Sequence, residues 1–494
     1  MRIAEGLAQH LERPLGRGCS PEGAHTGAAG GAACGDLIRV SITLEPHSPT
    51  GEIAEAGFDA SGCGTTIAAG SAAVGLLRGT SLLDAARIGA DDIARELGGL
   101  SPAKRHAAEL ASDALHRALG GAARESAALA PFQQRTLVAM SGGVDSAVAA
   151  LLVGEQGGEA VGVTLELWSD PENDGELSCC SAQAVRTARS LAHSLGMPHL
   201  SIDLRKEFRA GVVDHWLSDH AAGLTPNPCV RCNGNVRLDA MLELATRLGS
   251  QTLATGHYAR VHSAGSGTRT EEGAPSPLLR CAVDARKDQS YVLSALAPES
   301  LARMRFPLGA LRKERVRELA RMAGLPVARR PDSQDLCFLA GTGQREFLAR
   351  HGGLGSRRGE IVSDDGRTLG SHGGSHGFTI GQRRGLGIGG GEPLFVLATD
   401  ARTNTVTVGA RERLLTSAVA MRDVTLHRDG ACIDAVKIRY RGRRLSCRLD
   451  GRNPPGVHER LTVALERPLE RTAAGQLACL FAGELIVGHG TIAD

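Results

Sequence analysis

Leu137-Val138-Ala139-Met140-Ser141-Gly142-Gly143-Val144-Asp145-Ser146 decides how the chain is read. The apolar run Leu137 to Met140 has the character of a buried parallel strand. It ends in Ser141-Gly142-Gly143, and a helical pattern starts at Ala147-Val148-Ala149-Ala150-Leu151-Leu152. A strand, a glycine turn and a helix start in direct succession make an anion site. The turn's N–H groups point inward, the glycines admit a phosphate, and the helix N-terminus adds partial positive charge. Ser141 and Ser146 add hydroxyl donors. No Lys follows the glycines, so this is not a Walker loop.

Ser141 to Ser146 resembles the pyrophosphate loop of the ATP pyrophosphatases, which split ATP into AMP and pyrophosphate. The chain's 494 residues suit about three domains, and its 42% hydrophobic and 22% charged residues are globular. No apolar run reaches bilayer length. Met1-Arg2-Ile3-Ala4-Glu5 opens neither a signal nor a transit peptide, which predicts a cytoplasmic protein. The 12 Cys follow no secreted framework, so in a reducing compartment they are core residues, metal ligands or catalytic thiols. Net charge is +2, but residues 1–130 carry 11 Lys/Arg against 15 Asp/Glu. Lys437 to Arg452 holds seven basic residues and one acidic, Asp450. That stretch suits a polyanion such as nucleic acid, or is a solvated strand face.

Composition shifts near residue 121, where Gly120 to Pro131 is small and weakly patterned and reads as a linker. Before it, Leu37–Leu44 alternates like a strand, and 65–78, 81–97 and 102–119 have helical spacing. After it, Leu137–Met140, Ala160–Leu167, His199–Asp203 and Thr252–Thr255 are strand-like with helices between, which predicts a doubly wound sheet. Residues 263–277 read as a mobile polar hairpin insertion. Gly385 to Gly391 is too glycine-rich for a regular element, and no strand–helix frame supports a dinucleotide fingerprint there. Short strands from about 394, among them Thr405–Val408, Ala435–Tyr440 and Leu461–Leu465, predict a small β-barrel. The fold class is α/β multidomain: an N-terminal α+β domain (1–120), a linker (121–133), a doubly wound ATP pyrophosphatase domain (134–340), a central domain (341–405) and a C-terminal β-barrel (406–494).

Further motifs carry chemistry. Thr225-Pro226-Asn227-Pro228-Cys229-Val230-Arg231-Cys232-Asn233 is a Pro-stiffened loop with two thiols, and Ser333-Gln334-Asp335-Leu336-Cys337-Phe338 holds another. Thr255-Gly256-His257-Tyr258-Ala259-Arg260 follows a strand. Arg286-Lys287-Asp288-Gln289-Ser290-Tyr291 opens a helix. With Gly377 to Gly387, the order of these motifs resembles the tRNA-specific 2-thiouridylase family over residues 134 to 494.

That resemblance implies ATP-dependent 2-thiolation of the tRNA wobble uridine, with adenylation supplying AMP as a leaving group. It places Ala139, Met140, Ser141, Gly142, Gly143, Val144, Asp145, Ser146, Leu165 and Gly256 at ATP, with Asp145 toward Mg2+. It makes Cys337 the persulfide carrier and Cys232 the second thiol, which frees the sulfur or closes a disulfide with Cys337. Arg231 is a candidate for lowering a nearby thiol's pKa. Asn227, Pro228 and Cys229 would meet the target base, which must leave its stack. Lys287, Asp288, Gln289, His257, Arg439, Tyr440 and Gln476 would contact tRNA, although a lone His257 is more often structural. Only 3% of residues are aromatic, so shape and phosphate contacts dominate recognition. The implied partners are tRNA and a cysteine desulfurase or other sulfur donor, with no membrane.

Cys229 opens a competing mechanism. With Cys232 and Cys337 it offers three thiolates, enough for a 4Fe–4S cluster with one open iron; the persulfide relay ranks first. The phosphate loop by itself also suits an ATP pyrophosphatase acting on a small substrate, and the cysteines by themselves suit a non-enzymatic cluster carrier. The vicinal pair Cys179-Cys180 is assigned no role.

Near the N-terminus, Ala33-Cys34-Gly35-Asp36, Cys63-Gly64-Thr65-Thr66 and Leu100-Ser101-Pro102-Ala103-Lys104-Arg105-His106 resemble the iron–sulfur cluster scaffold family of the IscU and NifU N-terminal type. There a third cysteine follows the histidine; here Ala107 stands in its place. Cys34, Asp36, Cys63 and His106 remain as donors for zinc or an iron–sulfur cluster. The competing possibility is a degenerate domain kept for docking, with buried cysteines. The fusion would bring a sulfur donor close to the thiolation site at high effective concentration.

Overall fold

The computed structural model describes residues 2–30, 35–170, 181–263, 276–332, 336–339, 341–389 and 392–493. Cys34, the Cys179-Cys180 pair, Ser333 to Asp335, Gly390, Gly391 and nearly all of the polar insertion lie outside them.

The stretch around Leu137 forms the middle strand of a five-stranded parallel sheet. The strands are Arg135–Ala139, Glu159–Glu166, His199–Asp203, Thr252–Ala254 and Met304–Arg305, arranged from one edge as fifth, fourth, first, second, third. Leu137 and Ala139 point into one apolar core, Val138 and Met140 into another, so the strand is buried on both faces. The order reverses direction beside the first strand. The loop after Ala139 therefore opens into the crevice at the carboxyl edge of the sheet, where doubly wound folds bind ligands.

The N-terminal unit is a three-stranded antiparallel sheet, His25–Gly30, Leu37–Leu44 and Ile53–Ser61, packed against helices that include Gly64–Leu76 and Arg105–Glu125. The last of these helices joins the halves of the molecule. It runs beside the edge strand His199–Asp203 and in the same direction. His116 Nδ1 lies 2.9 Å from the His199 carbonyl oxygen, and Arg124 donates to the Asp203 carbonyl oxygen at 2.9 Å. Gly120 lies between them so close to Ser201 that any Cβ would collide with its carbonyl oxygen. Asp113 accepts from Arg186 (2.7 Å) and Arg189 (2.5 Å) of the neighbouring helix Ala182–Ser194. One apolar core runs from Ile38 and Phe58 through Leu115 and Leu119 to Leu200 and Leu253.

The stretch read as a linker is fixed in place. Its first residues extend the long helix to Glu125. Leu129, Ala130 and Phe132 then donate to the carbonyls of Arg247, Pro49 and Gly249, two in the second domain and one in the first. Small, weakly patterned residues read as a spacer in the sequence, but they also pack tightly against either neighbour.

The strand Thr405–Gly409 pairs with Gly359–Ser363 and Phe395–Asp400 in a four-stranded central sheet, rather than opening the barrel. The barrel proper closes over six strands, from Leu415–Leu426 to Leu485–Ile492, through the pairing of those two. Two short strands, Arg260–His262 and Leu278–Arg280, extend its sheet from the domain that holds the parallel sheet. Among the described residues no helix is long and apolar enough to cross a membrane.

Replacing Gly120 with Val should force the long helix off the edge strand and cost about 1–3 kcal/mol, the range for overpacking a filled interior. The expected result is a lower thermal midpoint and protease cleavage within 126–133. An unchanged midpoint with full protection would contradict the tight docking.

Candidate active site

Gly142 adopts a positive φ of +69°, which turns the chain after the strand. Gly143 caps the helix Val144–Gly154 with extended dihedrals, leaving the helix's first N–H groups facing the crevice. Ser146 Oγ accepts from the Ser141 N–H (3.1 Å), lies 3.2 Å from Ser141 Oγ and donates to the Gly143 carbonyl (3.1 Å), tying the loop into a ring. Gly256 comes so close that a Cβ would sit 2.8 Å from the Asp145 carbonyl carbon and the Ser146 nitrogen. The loop and the second glycine segment thus meet, as the sequence reading expected.

Asp145 is held differently from that reading. Both of its oxygens accept from Lys313 Nζ, at 2.7 and 2.8 Å, and Oδ1 accepts from the Tyr258 hydroxyl at 2.9 Å. Burial and the Asp145 charge keep that phenol firmly protonated. The Asp145 carboxylate is thus engaged by an ammonium and a phenol, and among the described residues no second carboxylate, thiol or imidazole gathers with it into a metal-ligand group, so this donor set fits a metal poorly. Lys313 also contacts Asp332 at 2.8 Å, and Asp332 pairs with Lys287 (2.6 Å) and Arg317 (2.8 Å). Burial would raise the Asp332 carboxyl, but Lys287 and Lys313 outweigh it and bring it down to about 2. Arg330 donates to the Gly142 carbonyl at 2.9 Å. Sequence reading missed Lys313, Arg317, Arg330 and Asp332. They carry no local motif and reach the loop only through tertiary folding.

Beside the loop lies a cavity of about 800 Å³, including its open mouth. Ala139, Met140, Ser141 and Leu165 line one part, and Pro228, Cys229, Cys232, Asn233, Arg237, Cys337 and Phe338 line the rest. The two thiol segments, about a hundred residues apart in sequence, thus open into one space with the phosphate loop. Asn227 caps the short helix Pro228–Cys232 by accepting the Cys229 N–H at 3.2 Å. The chain then widens into a π-helical turn, Asn233–Arg237, and a second such turn, Arg209–Val213, brings Val212 to the same wall. Such turns re-aim side chains within a helix and recur at functional sites. Arg231 Nε donates to the Gly211 carbonyl at 2.8 Å, which ties the short helix to the second π-helical turn.

The residues expected at tRNA divide into two groups. Asp288 accepts from the Ala282 N–H (2.9 Å) and Ser290 Oγ (2.9 Å), and Gln289 accepts the Tyr258 N–H (2.9 Å). These two side chains hold the loop above Lys287, which itself pairs with Asp332. His257 bonds Thr255 through Nδ1 at 2.8 Å; desolvation, with Arg237 nearby, takes its imidazole down to about 3, so it is neutral. Gln476 donates to the Thr225 carbonyl (2.5 Å), and Thr225 donates to that of Ala474 (2.9 Å), so the barrel grips the Cys229 loop. Arg439 is exposed and donates to Thr472 Oγ1 at 2.7 Å, and Tyr440 lies at the same junction beside Tyr291. Lys437 is buried within 3.8 Å of Asp288, but Arg441, Arg443, Arg448 and Arg452 of the basic stretch are exposed.

In the N-terminal domain the donor atoms of Asp36, Cys63 and His106 lie within 4.8 Å of one another. The Asp36 carboxyl is lowered chiefly by the Thr66 hydroxyl at 2.7 Å, against some burial, with help from the Cys63 N–H and His106. Thiol, imidazole and carboxylate suit zinc or iron. Ala107 is fully buried and supplies no donor. Cys63 is exposed, unlike the buried cysteines of the competing degenerate-domain reading.

Comparison with known proteins divides the chain in the same order. The family described as "NifU-like N terminal domain" matches residues 4–126, and "tRNA methyl transferase HUP domain" matches 134–341. "tRNA methyl transferase PRC-barrel domain" matches 345–410, and "Aminomethyltransferase beta-barrel domain" matches 421–492. The chain is 41% identical to the "Bifunctional protein NifU/MnmA" of Rubrobacter xylanophilus, over 100% of this chain and 99% of that protein. It is 40% identical to the "tRNA-specific 2-thiouridylase MnmA" of Acidithiobacillus ferrooxidans, over 73% of this chain and 98% of the relative. For the protein of the same description from Roseiflexus castenholzii the identity is 39%, over 73% and 99%.

The low Asp332 carboxyl gives an acid-stability test. A group depressed from 3.8 to about 2 contributes fully above its unfolded value, and that contribution disappears as pH falls through the folded one. Wild type should therefore exceed Asp332→Asn in stability at pH 5 and lose that margin between about pH 4 and 2 in acid unfolding curves. A pH-independent margin would contradict the ion-pair account.

Proposed function

Because the chain belongs to the family of bifunctional NifU/MnmA proteins, we propose that it thiolates the wobble uridine of tRNA at the 2-position, by ATP-dependent adenylation and persulfide sulfur transfer. The tRNA-uridine 2-sulfurtransferase activity follows from the family. The observation that carries the mechanism is the single cavity into which Met140, Ser141, Cys232 and Cys337 all open.

The base enters this cavity past Pro228 and Cys229, out of its stack. The ring of Ser141 and Ser146 holds the phosphates against the helix N-terminus, so that the uridine 2-oxygen meets the α-phosphate. A new O–P bond forms, the bond to the β-phosphate breaks, and pyrophosphate leaves with the electron pair. The terminal sulfur of a Cys337 persulfide then attacks C2, and AMP departs. Cys232 attacks the Cys337 sulfur, which releases the thiolated base and leaves a Cys232–Cys337 disulfide for an external thiol to reduce. In the variant order Cys232 first frees the sulfur as sulfide, which then attacks C2, and the same disulfide remains. The barrel, clamped to the cysteine loop through Gln476 and Thr225, presents Arg439 and Tyr440 at the entrance for the RNA.

A second reading has a specific observation behind it: Cys229 lines the same cavity as Cys232 and Cys337. Three thiolates on one space suit a 4Fe–4S cluster whose open iron carries sulfide. In the N-terminal domain, Asp36, Cys63 and His106 would hold zinc or an iron–sulfur cluster, and the exposed face around Cys63 would receive the sulfur donor. The setting for this chemistry is the cytoplasm.

Thiolation assays with tRNA, ATP and a desulfurase on anaerobically purified protein test these readings. Cys337→Ser should abolish thiolation, a loss of at least about a thousandfold for a missing nucleophile, while tRNA binding stays within about twofold. Full residual activity would refute the persulfide role. Activity that tracks iron content and vanishes in Cys229→Ala would favour the cluster. ATP cleavage that needs no tRNA would point to a small substrate instead.

A further inference from the structure

We propose that Lys313 is the built-in cation of the phosphate site: it binds the β- and γ-phosphates of ATP and accompanies the departing pyrophosphate, and Asp145 serves to hold this lysine rather than a metal ion. The inference rests on the reading of Ser141–Ser146 as the ATP loop and adds to it the group that reads phosphate charge.

Lys313 stands at the first turn of the helix Lys313–Met322, and its side chain is 8% exposed. Its ammonium has three donors. The contacts to Asp145 Oδ1, Asp145 Oδ2 and Asp332 Oδ1 engage all of them, at 2.7 to 2.8 Å. Asp145 lies in the first turn of the helix that follows the loop, and the ammonium is bonded to its carboxylate, which ties Lys313 to that turn.

The partners are arranged so that Lys313 can change hands. Asp332 keeps Lys287 on Oδ2 and Arg317 on Oδ1 when Lys313 turns away, so no buried carboxylate is left uncompensated at that end. Asp145 retains the Tyr258 hydroxyl. Among the described residues four cations, Lys287, Lys313, Arg317 and Arg330, face three carboxylates, Asp145, Asp284 and Asp332, and Arg330 is bonded to the Gly142 carbonyl of the loop itself. This surplus of positive charge lies where a polyphosphate adds several negative charges and AMP adds fewer. The cluster should therefore discriminate ATP from AMP, which also favours release of the adenylate's AMP after sulfur transfer.

Binding of ATP and AMP to the full-length protein without tRNA, by isothermal titration in EDTA, tests the proposal. Wild type should prefer ATP over AMP without divalent metal. Lys313→Gln should weaken ATP about 10- to 100-fold, as expected for loss of one charged hydrogen-bonding partner, and change AMP by less than about threefold. Lys313→Met should do the same, and thermal melting identifies which variant is folded if one is not. Equal losses for both nucleotides, unchanged ATP affinity in a folded variant, or an ATP preference that appears only with Mg2+ would overturn the role of Lys313. Absence of ATP binding by wild type at any metal concentration would instead overturn the reading of the loop.

Discussion

The strand order of the parallel sheet is the constraint on which the rest depends. With Arg135–Ala139 in the middle and its two neighbours connected in opposite directions, no crossover covers its carboxyl end. A glycine turn and a helix start placed there face an open crevice. Every other functional element comes to that edge: Gly256 after the fourth strand, Lys287 and Lys313 from the segments around the fifth, and the thiols from the Pro228–Cys232 helix and the Leu336–Phe338 turn. Moving the loop to an edge strand would leave these groups without a common space.

The long helix Arg105–Glu125 imposes a second constraint. Its carboxyl end, at Arg124, lies level with the carboxyl edge of the sheet, and its amino end carries His106. Some eighteen residues at 1.5 Å each put the Asp36–Cys63–His106 cluster about 27 Å back along the axis from that edge. A buried core, the Asp113 ion pairs and the tight fit at Gly120 hold this offset. Sulfur bound at the N-terminal cluster thus has no direct contact with Cys337 in the same docked chain. On the proposed reading, the fusion would act by presenting a partner surface on the same docked chain, which would raise the partner's local concentration.

Local chemistry was legible in the sequence. The strand, glycine turn and helix of the phosphate loop occupy adjacent residues, and the four longer sheet strands announce themselves by apolar runs with helical spacing between them. The two-residue Met304–Arg305 strand is too short to carry such a signal. The thiol segments were visible as motifs, although only folding shows that Cys229, Cys232 and Cys337 share a cavity. What escaped was long-range electrostatics. Nothing near Lys313 marks it as the partner of Asp145, 168 residues earlier, and nothing in Asp288-Gln289 shows that both side chains are engaged within the protein. The compositional linker misled for a related reason: Gly120 and the alanines around it permit close packing as readily as flexibility, and only the partner surface decides between them.

The same long-range arrangement separates binding from sulfur chemistry. The cations gather on the side of the loop toward Lys313 and Asp332, and the thiols on the side toward Pro228 and Phe338. On the proposed mechanism, a phosphate-rich leaving group would be drawn one way while a sulfur nucleophile approached from the other. On the thiol side the wall is largely apolar, with Leu167 and Phe338 beside Cys232 and Cys337, and Arg237 and Asn233 supply its polar groups. The barrel enters this division at its thiol end, where Gln476 and Tyr291 bind the backbone on either side of the junction. The barrel is thus bonded to the loop bearing Cys229 and Cys232, and on the proposed reading tRNA docked on the barrel would bear on the thiol side of the cavity.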